Sequence, residues 1–301
     1  MREFDLIAEI LATLGDSTQS DQVRVGPGDD GAVVAVPDNV ELVASIDALV
    51  GDVHFPLRAQ PQLIGYRALM VSTSDLAAMG AAPGYALVAL SLPEPDADWA
   101  RGLAQGLRAA AKDCGMTVVG GNIATGPVNI SVSVHGWVPI GSALTRSGAK
   151  SGDGIYVTGA LGGAAAALAR GDLDRCREDD LDALESRYFK PQARLTAGQR
   201  LRGYASAAID VSDGLLKDLG HICAASNVGA KLFLDAIPVT QGASVDNALA
   251  GGDDYELCFT SASTPPDLGC QTSCIGSVVD TLGMWIDGQA VELKGYEHFA
   301  S

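Results

Sequence analysis

The chain has 301 residues, of which 47% are hydrophobic, and its formal net charge at pH 7 is -17. This length and hydrophobic content predict a folded protein with a sizeable core and room for two domains. The acidic balance argues against a surface made for nucleic acid or for an anionic membrane, because both would be repelled. A polyanionic ligand would therefore have to bind together with cations.

The N-terminal stretch MREFDLIAEILATLG combines acidic residues with an apolar helical periodicity. It predicts an amphipathic helix rather than a signal peptide. No apolar run reaches the length of a membrane span. The six cysteines include no C-x-x-C pair, which argues against a disulfide scaffold and against a zinc site. We therefore expect a protein of the reducing cytoplasm.

Residues 26–31, Gly-Pro-Gly-Asp-Asp-Gly, match the G-x-G-x-x-G spacing of dinucleotide-binding folds. That fingerprint requires a helix after the glycines, so that the helix N-terminus meets a pyrophosphate. Here β-branched residues interrupted by Pro37 follow, and they predict strand, turn and strand. Asp29 and Asp30 would also repel a phosphate, since like charges 4 Å apart at an effective dielectric of 20 cost about 4 kcal/mol. We reject a dinucleotide site at this turn.

The first half of the chain predicts an α+β unit from its apolar periodicities. The predicted elements are strand 40–46, helix 62–80, strand 85–93, helix 96–115, strand 117–121 and strand 129–139. The Gly- and Ser-rich passage 141–154 then interrupts the hydrophobic pattern. We therefore expect a domain boundary there, with one domain at residues 1–139 and the other at 140–301.

The second half predicts an α/β unit. Its predicted elements are strand 155–159, a helix from Gly163, helices through 193–204, strand 207–211, helix 214–226, strands 231–237, 255–261 and 274–279, and a hairpin at 284–293. Asp287-Gly288 suits the tight turn of that hairpin. The charged run 167–185 predicts a solvent-facing helical stretch.

Several aspartates share one placement, directly after an apolar strand or beside a turn. They are Asp29, Asp30, Asp47, Asp210, Asp213, Asp253 and Asp254, while Asp75 lies near the end of a predicted helix. Carboxylates among apolar neighbours are costly to desolvate alone, so we expect them to be paired or metal-bound. Oxygen ligands without His or Cys neighbours fit Mg²⁺, which joins carboxylates to substrate phosphates. The chain has no P-loop motif, so metal bridging by aspartates is the alternative way to hold a triphosphate for phosphoryl transfer.

Simpler structural explanations compete with these assignments. Asp213 or Ser212 could cap a helix, and Asp29 could form an Asx turn. The histidines have no partner at metal-ligand spacing and are surface or core residues by default; they are His54, His135, His221 and His298.

Two further features remain ambiguous at the level of sequence. Gly162 and Gly163 resemble a phosphate-binding helix start, although tight packing of a helix on a sheet is the commoner cause of such glycines. Arg146 and Lys150 form a basic pair in an acidic chain, yet a solvated linker explains them too.

Seven stretches, in this order, closely resemble the thiamine-monophosphate kinase family of the PurM-like superfamily. They are GPGDDGAVV, SIDALVGDVHF, STSDLAAMGA, VVGGN, LTRSGAKSGDGIYVTG, AAIDVSDGLLKDLGHI and GGDDYELCF. The resemblance runs from EFDLIAEIL to GYEHF. It implies a two-domain PurM-like fold, with an N-terminal α+β domain that binds ATP and Mg²⁺ and forms the sheet of a homodimer.

The resemblance also implies the reaction and its residues. The expected reaction is direct in-line transfer of the γ-phosphoryl group of ATP to thiamine monophosphate, with several Mg²⁺ ions and no phosphoenzyme. The implied metal-binding positions are Asp30, Ser45, Ile46, Asp47, Asp75, Asn122, Asp210 and Asp213, of which Asp30, Asp75 and Asp210 are also taken as catalytic. The implied nucleotide contacts are Gly121, Asn122, Arg146 and Ser212, and the implied thiamine-phosphate contacts are His54, Asp253 and Tyr296.

Three residues depart from the family pattern: Ile46 replaces Thr, Asn122 replaces Asp, and Asp253 replaces Glu. Ile46 still offers its backbone carbonyl, and Asp253 keeps the charge on a shorter arm, whereas Asn122 loses a charge.

Two other functions stay open. A selenophosphate synthetase would need a reactive Cys or selenocysteine near the N-terminus, and the first cysteine here is Cys114. A non-catalytic sensor of ATP or thiamine phosphates would need fewer metal-binding aspartates than this chain retains.

Overall fold

The computed structural model describes residues 2–297 and divides the chain into two compact units. Unit 1 comprises Met1–Leu76, Ala82–Ile140 and Asp172–Asp182. Unit 2 comprises Ala77–Ala81, Gly141–Gly171 and Ala183–Ser301. The domain boundary at residue 139 stays a prediction. The main break between the units falls near it, but unit 1 also contains Asp172–Asp182 and unit 2 also contains Ala77–Ala81.

The helices of the first half are α1 Glu3–Leu14, α2 Pro61–Ala78 and α3 Ala97–Cys114. The three predicted helices of this region are therefore confirmed. The cap of α3 follows from local chemistry, because Oδ1 of Asp96 accepts the N–H of Trp99 at 3.0 Å. The helix ends at Gly115, whose φ of 73° lies in the left-handed region.

The strands of this half are β1 Val23–Val25, β2 Val33–Val34, β3 Val40–Val50, β4 Ala82–Leu92, β5 Thr117–Thr125 and β6 Asn129–Pro139. β1 pairs with β2 in antiparallel fashion. The strand, turn and strand predicted after the glycine-rich turn are confirmed, because β2 and β3 flank a turn at residues 38–39. The other four strands form a sheet in the order β3-β6-β4-β5. Only the β4–β5 pair in this sheet is parallel.

Two of these strands continue further toward the C-terminus than predicted. β3 continues to Val50 and β5 continues to Thr125, since their ladders to β6 and β4 run unbroken past the predicted ends. The expectation that Asp47 follows a strand is therefore wrong, because Asp47 lies inside β3. Asn122 likewise lies inside β5.

Unit 2 is built on one seven-stranded sheet. Its strands are β7 Gly154–Thr158, β8 Ala207–Asp210, β9 Gly229–Leu232, β10 Leu257–Ser261, β11 Thr272–Val279, β12 Met284–Ile286 and β13 Gln289–Ala290. The order is β13-β12-β9-β11-β7-β10-β8, with β12 and β9 parallel and the other pairs antiparallel. The predicted hairpin is confirmed, and both turn residues, Asp287 and Gly288, have positive φ.

The helices of the second half are α4 Gly163–Arg170, α5 Ala183–Phe189, α6 Leu195–Leu201, α7 Leu215–Ser226 and α8 Val245–Ala250. The buried face of α7, with Leu215, Leu219 and Ile222, packs into a core shared with Ile155 and Ile209 of the sheet. This packing fixes the start of α7 beside the end of β8. No helix in the described part of the chain is long and apolar enough to cross a membrane.

Two predictions for the second half are wrong. The charged run 167–185 is not one helical stretch, because Gly171 adopts φ 75° and ends α4, and two 3-10 turns, Leu173–Arg175 and Glu178–Asp180, precede α5. The predicted strand 231–237 ends at Leu232, where its pairing with β11 and β12 stops, and a 3-10 turn at Leu234–Ala236 follows.

Candidate functional site

In unit 1, a serine and two aspartates meet between β3 and α2. Side chains alternate along a strand, so Ser45 and Asp47 share one face of β3 and Ile46 lies on the other. The hydroxyl of Ser45 donates a hydrogen bond to Oδ2 of Asp75 on α2. The side chain of Ile46 is 66% exposed, so only its backbone can contribute to this cluster.

The two carboxylates of this cluster interact electrostatically. Burial and the negative charge of Asp75 raise the pKa of Asp47 to about 6, although a hydrogen bond with Ser72 acts in the opposite direction. No group of three or more His, Cys, Asp or Glu side chains among residues 2–297 is placed to hold a metal ion. Two carboxylates and a hydroxyl nevertheless fit Mg²⁺, which completes its octahedron with waters and substrate phosphates.

Asn122 is separate from this cluster within the chain. β6 and β4 lie between β3 and β5, so the two edge strands are three spacings, or about 14 Å, apart. Asn122 pairs with Ala89 of β4. At the preceding position, a Cβ on Gly121 would lie 1.9 Å from the carbonyl oxygen of Val88, so close backbone approach alone requires this glycine.

The other unit 1 residues lie in turns. Asp30 is exposed, and its N–H donates to Oδ1 of Asp29 at 2.9 Å. His54 follows β3, and its Nδ1 accepts the N–H of Val50 at 2.9 Å. That bond leaves the ring proton of neutral His54 on Nε2.

In unit 2, Asp210 ends β8, and Ser212 and Asp213 lie in the loop before α7. The hypothesis that Asp213 or Ser212 caps this helix is wrong, because Gly214 occupies the cap position without a side-chain bond. Oδ2 of Asp213 instead lies 3.0 Å from Nζ of Lys217.

The loop of Ser212 and Asp213 is in direct contact with two other segments. The N–H of Asp253 donates to the carbonyl of Ser212 at 2.8 Å, and the N–H of Tyr296 donates to the carbonyl of Asp213 at 3.0 Å. Lys217 also donates to the carbonyl of Tyr296. The structure thus brings together four of the residues implied by the resemblance: Ser212, Asp213, Asp253 and Tyr296.

The segment that carries Asp253 has an unusual backbone. Asp253 and Tyr255 have φ of 62° and 52°, values that residues other than glycine rarely adopt. The phenol of Tyr255 donates to Oδ1 of Asp253 at 2.8 Å. Strain of this kind concentrates at functional sites, where the surrounding structure enforces it.

Arg146 lies within electrostatic reach of α7. The pKa of His221 on that helix is lowered by burial and then by the positive charges of Arg146 and Lys217. The hydroxyl of Ser226 donates a hydrogen bond to the carbonyl of Arg146 at 3.2 Å. Of the other histidines, His135 stacks on Tyr85 with ring centroids 4.4 Å apart, and His298 lies outside the described residues.

The glycine-rich start of α4 holds a carboxylate of the chain itself. The N–H of Gly162 lies 2.8 and 2.9 Å from the two carboxylate oxygens of Asp254, and a Cβ at Gly162 would lie 2.6 Å from the backbone nitrogen of Ala248. Close packing against α8, and not the expected packing of a helix on the sheet, explains Gly162. Burial raises the pKa of Asp254 to about 8.

Sequence reasoning missed two buried acids beside the site. Asp218 accepts backbone N–H groups from the loop of Ser212 and Asp213. Glu256 is 1% exposed, and its carboxylate lies 2.6 Å from both Nε and Nη2 of Arg194 and 3.2 Å from Nη1 of Arg187. The only sequence signal for Glu256 is an acid directly before the apolar strand β10.

Comparisons with known proteins identify the family of this chain. Residues 28–138 match the family model of the AIR synthase related protein N-terminal domain, and residues 150–264 match that of its C-terminal domain. Thiamine-monophosphate kinase of Salmonella typhimurium is 41% identical, with 99% of this chain and 98% of the relative covered. The same enzyme of Haemophilus influenzae is 35% identical with equal coverage.

Solved structures agree with these matches. The crystal structure of thiamine-monophosphate kinase from Stenotrophomonas maltophilia has a TM-score of 0.86 and 39% identity, and covers 97% of this chain and 98% of that one. A structure described as AaThiL complexed with AMPPCP and TMP has a TM-score of 0.81 and 32% identity, and covers 99% of both chains. The expected two-domain PurM-like fold is confirmed. The chain belongs to the thiamine-monophosphate kinase family, a family of phosphotransferases.

Proposed function

We propose that this protein transfers the γ-phosphoryl group of ATP directly to the phosphate of thiamine monophosphate and releases thiamine diphosphate and ADP. The observation that carries this proposal is the assembly in unit 2, where the loop of Ser212 and Asp213 bonds to the backbones of Asp253 and Tyr296. A relative that matches the chain over 99% of its length is described with AMPPCP, an ATP analogue, and TMP bound. The direct test is product analysis after incubation with ATP, Mg²⁺ and thiamine monophosphate.

We assign the metal-binding role to carboxylates of both units. In unit 1 these are Asp30, Asp47 and Asp75, with the hydroxyl of Ser45 and the carbonyl of Ile46, and in unit 2 they are Asp210 and Asp213. Asn122, on the opposite edge strand from Asp47, contributes an uncharged amide oxygen to a different ion. When bound there, Mg²⁺ would neutralise the charge that the phosphates and the transferred group carry. Burial, and after it repulsion from Asp75, raises the pKa of Asp47. A cation bound beside both carboxylates would relieve that repulsion, which supports this assignment.

Nucleotide positioning falls to Gly121, Asn122, Arg146 and Ser212. Arg146 is the residue suited to phosphate, because its guanidinium donates several hydrogen bonds in a fixed fork. In-line transfer without a phosphoenzyme fits a site whose aspartates serve as metal ligands, since such carboxylates are poor nucleophiles. Asp30, Asp75 and Asp210 are then catalytic by holding the reacting phosphates in line.

Acceptor binding falls to His54, Asp253 and Tyr296. The thiazolium ring of thiamine is a cation, which both a carboxylate and an aromatic face attract. Tyr296 is 43% exposed. The hydrogen bond from Tyr255 fixes one oxygen of Asp253, whose arm is one methylene shorter than that of glutamate.

We further propose that two copies of the chain form a homodimer through the four-stranded sheet. Ile46 and Leu87 both pair with Ser133 of β6, so they share one face of the sheet, and Leu42 lies on the same face of β3. All three side chains are exposed in the single chain. An open apolar sheet face is typical of a protein interface, and Ile46→Lys should convert a dimer to a monomer in light scattering.

We also propose a cytoplasmic location, supported by six cysteines that all carry free thiols.

A further inference from the structure

The loop between β8 and α7 is organised around one buried carboxylate. Asp218 lies in the first turn of α7 and is 3% exposed. Its Oδ2 accepts three consecutive backbone N–H groups, from Ser212 at 3.0 Å, Asp213 at 3.0 Å and Gly214 at 3.1 Å. Three amides aimed at one oxygen fix the φ and ψ angles of the loop, because each bond sets the direction of a peptide plane.

The carbonyl side of the same loop faces the segments that carry the acceptor-binding residues. The carbonyls of Val211, Ser212 and Asp213 accept N–H groups from Tyr255, Asp253 and Tyr296, at 2.8, 2.8 and 3.0 Å. Gly252 permits this approach, since a Cβ there would lie 2.5 Å from the carbonyl oxygen of Ser212. The loop is therefore held by Asp218 on one side and attached to the Asp253 and Tyr296 segments on the other.

We propose that Asp218 is a positioning residue for phosphoryl transfer: its carboxylate sets the loop that aligns Ser212 and Asp213 with Asp253 and Tyr296. The inference rests on the proposed function for the roles of those four residues, whereas the geometry of the loop does not depend on it. Asp218 itself touches neither nucleotide nor acceptor in this scheme. It acts through the backbone alone.

The competing explanation is that Asp218 only stabilises the N-terminus of α7, as acids in first turns commonly do. Two substitutions separate these explanations. Asp218→Leu removes the acceptor at similar volume, and Asp218→Asn keeps one acceptor oxygen without the charge. Val278→Ala, which truncates a buried side chain on β11, is the control for loss of stability alone.

Amide hydrogen exchange tests the geometry without any assumption about activity. In Asp218→Leu, the amides of Ser212, Asp213 and Gly214 should exchange at least about tenfold faster, while those of Cys258 and Phe259 in β10 keep their protection. Val278→Ala should not show this local pattern. Unchanged protection of the three loop amides in folded Asp218→Leu would overturn the inference.

Kinetics test the positioning role. Loop displacement should lower kcat/KM for thiamine monophosphate by about a hundredfold in Asp218→Leu, since misplacement by 1 Å is enough for such a loss. Asp218→Asn should have a kcat/KM about tenfold higher than that of Asp218→Leu, because its amide oxygen still accepts N–H groups. If Asp218→Leu keeps kcat/KM within about threefold, or loses no more than Val278→Ala at equal melting temperature, Asp218 is only a structural residue.

Two other results remain informative. If Asp218→Leu does not fold, Asp218→Asn decides the matter: faster exchange of the loop amides with reduced kcat/KM supports the inference, and native values for both overturn it. If the unaltered protein does not turn over thiamine monophosphate, the proposed function fails. The affinity for AMPPCP with Mg²⁺ in the same variants then takes the place of kcat/KM. It should be lowest in Asp218→Leu and intermediate in Asp218→Asn.

Discussion

The phenol of Tyr255 donates a 2.8 Å hydrogen bond to Oδ1 of Asp253, two residues earlier in a loop where both residues have positive φ. The bond fixes the one carboxylate that the resemblance assigns to thiamine phosphate. Tyr255→Phe should raise the KM for thiamine monophosphate about 10- to 150-fold, since hydrogen bonds to charged groups contribute about 1.5 to 3 kcal/mol. The KM for ATP should change little.

Tyr66→Phe is the matched control for this variant. The phenol of Tyr66 donates to Oδ2 of Asp113 at 2.9 Å, and neither residue is among the predicted site residues. Steady-state kinetics of both variants give the KM for thiamine monophosphate and for ATP. An equal rise of KM in both, or no rise in Tyr255→Phe, would show that Tyr255 does not orient Asp253.

Asp75→Asn should separate stability from catalysis. The substitution removes one of the two charges that repel across β3 and α2, so the melting temperature without Mg²⁺ should stay equal or rise. Activity should fall by about two or more orders of magnitude, since a metal-binding carboxylate is lost. Asp96→Asn, at the cap of α3, should change neither. A folding defect in Asp75→Asn with normal nucleotide affinity after refolding would mean that Asp75 is structural.

EDTA should abolish tight nucleotide binding. With 37 acidic and 20 basic side chains, the protein repels a triphosphate unless cations accompany it. Calorimetric titration with AMPPCP, with Mg²⁺ and then with EDTA, measures the effect. Equal affinity under both conditions would contradict a metal-dependent site.

Asn122 should leave the enzyme active but raise its Mg²⁺ requirement. An amide oxygen can ligate Mg²⁺ but brings no charge and cannot bridge two ions. Asn122→Asp should therefore strengthen metal binding by roughly 1 to 4 kcal/mol, between the aqueous and near-surface Coulomb limits. Titration of Mg²⁺ against activity in both proteins measures this. Identical curves would refute the assignment, and activity in the Asp variant alone would favour the sensor.

The stability of the protein without metal should fall as the pH rises from about 4 to about 8. Burial raises the pKa of Asp254 to about 8, whereas the same carboxyl in the unfolded chain titrates near 4. The folded state therefore holds more protons across this window, and the free energy of unfolding decreases with pH by up to a few kcal/mol. Asp254→Asn should flatten this slope in urea unfolding measured from pH 5 to pH 8. A slope equal to that of the unaltered protein would assign the effect to other groups.

The sequence predicted most helices and strands because their apolar periodicities were clear, as in α2, α3 and β6. It misplaced Asp47 at a strand end because an acid was taken to end β3, although Ala48, Leu49 and Val50 continue the apolar pattern. Alternation along β3 could have placed Ser45 and Asp47 together and Ile46 apart. Asn122 lies far from Asp47 because β3 and β5 are the two edge strands of the sheet. No local sequence pattern encodes this strand order. Asp218 and Glu256 were missed because one sequence does not reveal which acids are buried.

The measurement that tests the central claim most directly is product analysis by mass after incubation of the protein with ATP, Mg²⁺ and thiamine monophosphate. Direct transfer of the γ-phosphoryl group predicts thiamine diphosphate and ADP in equal amounts, and no nucleotide turnover when thiamine monophosphate is omitted. AMP with free phosphate, turnover that does not depend on thiamine monophosphate, or no product at any Mg²⁺ concentration would contradict the account.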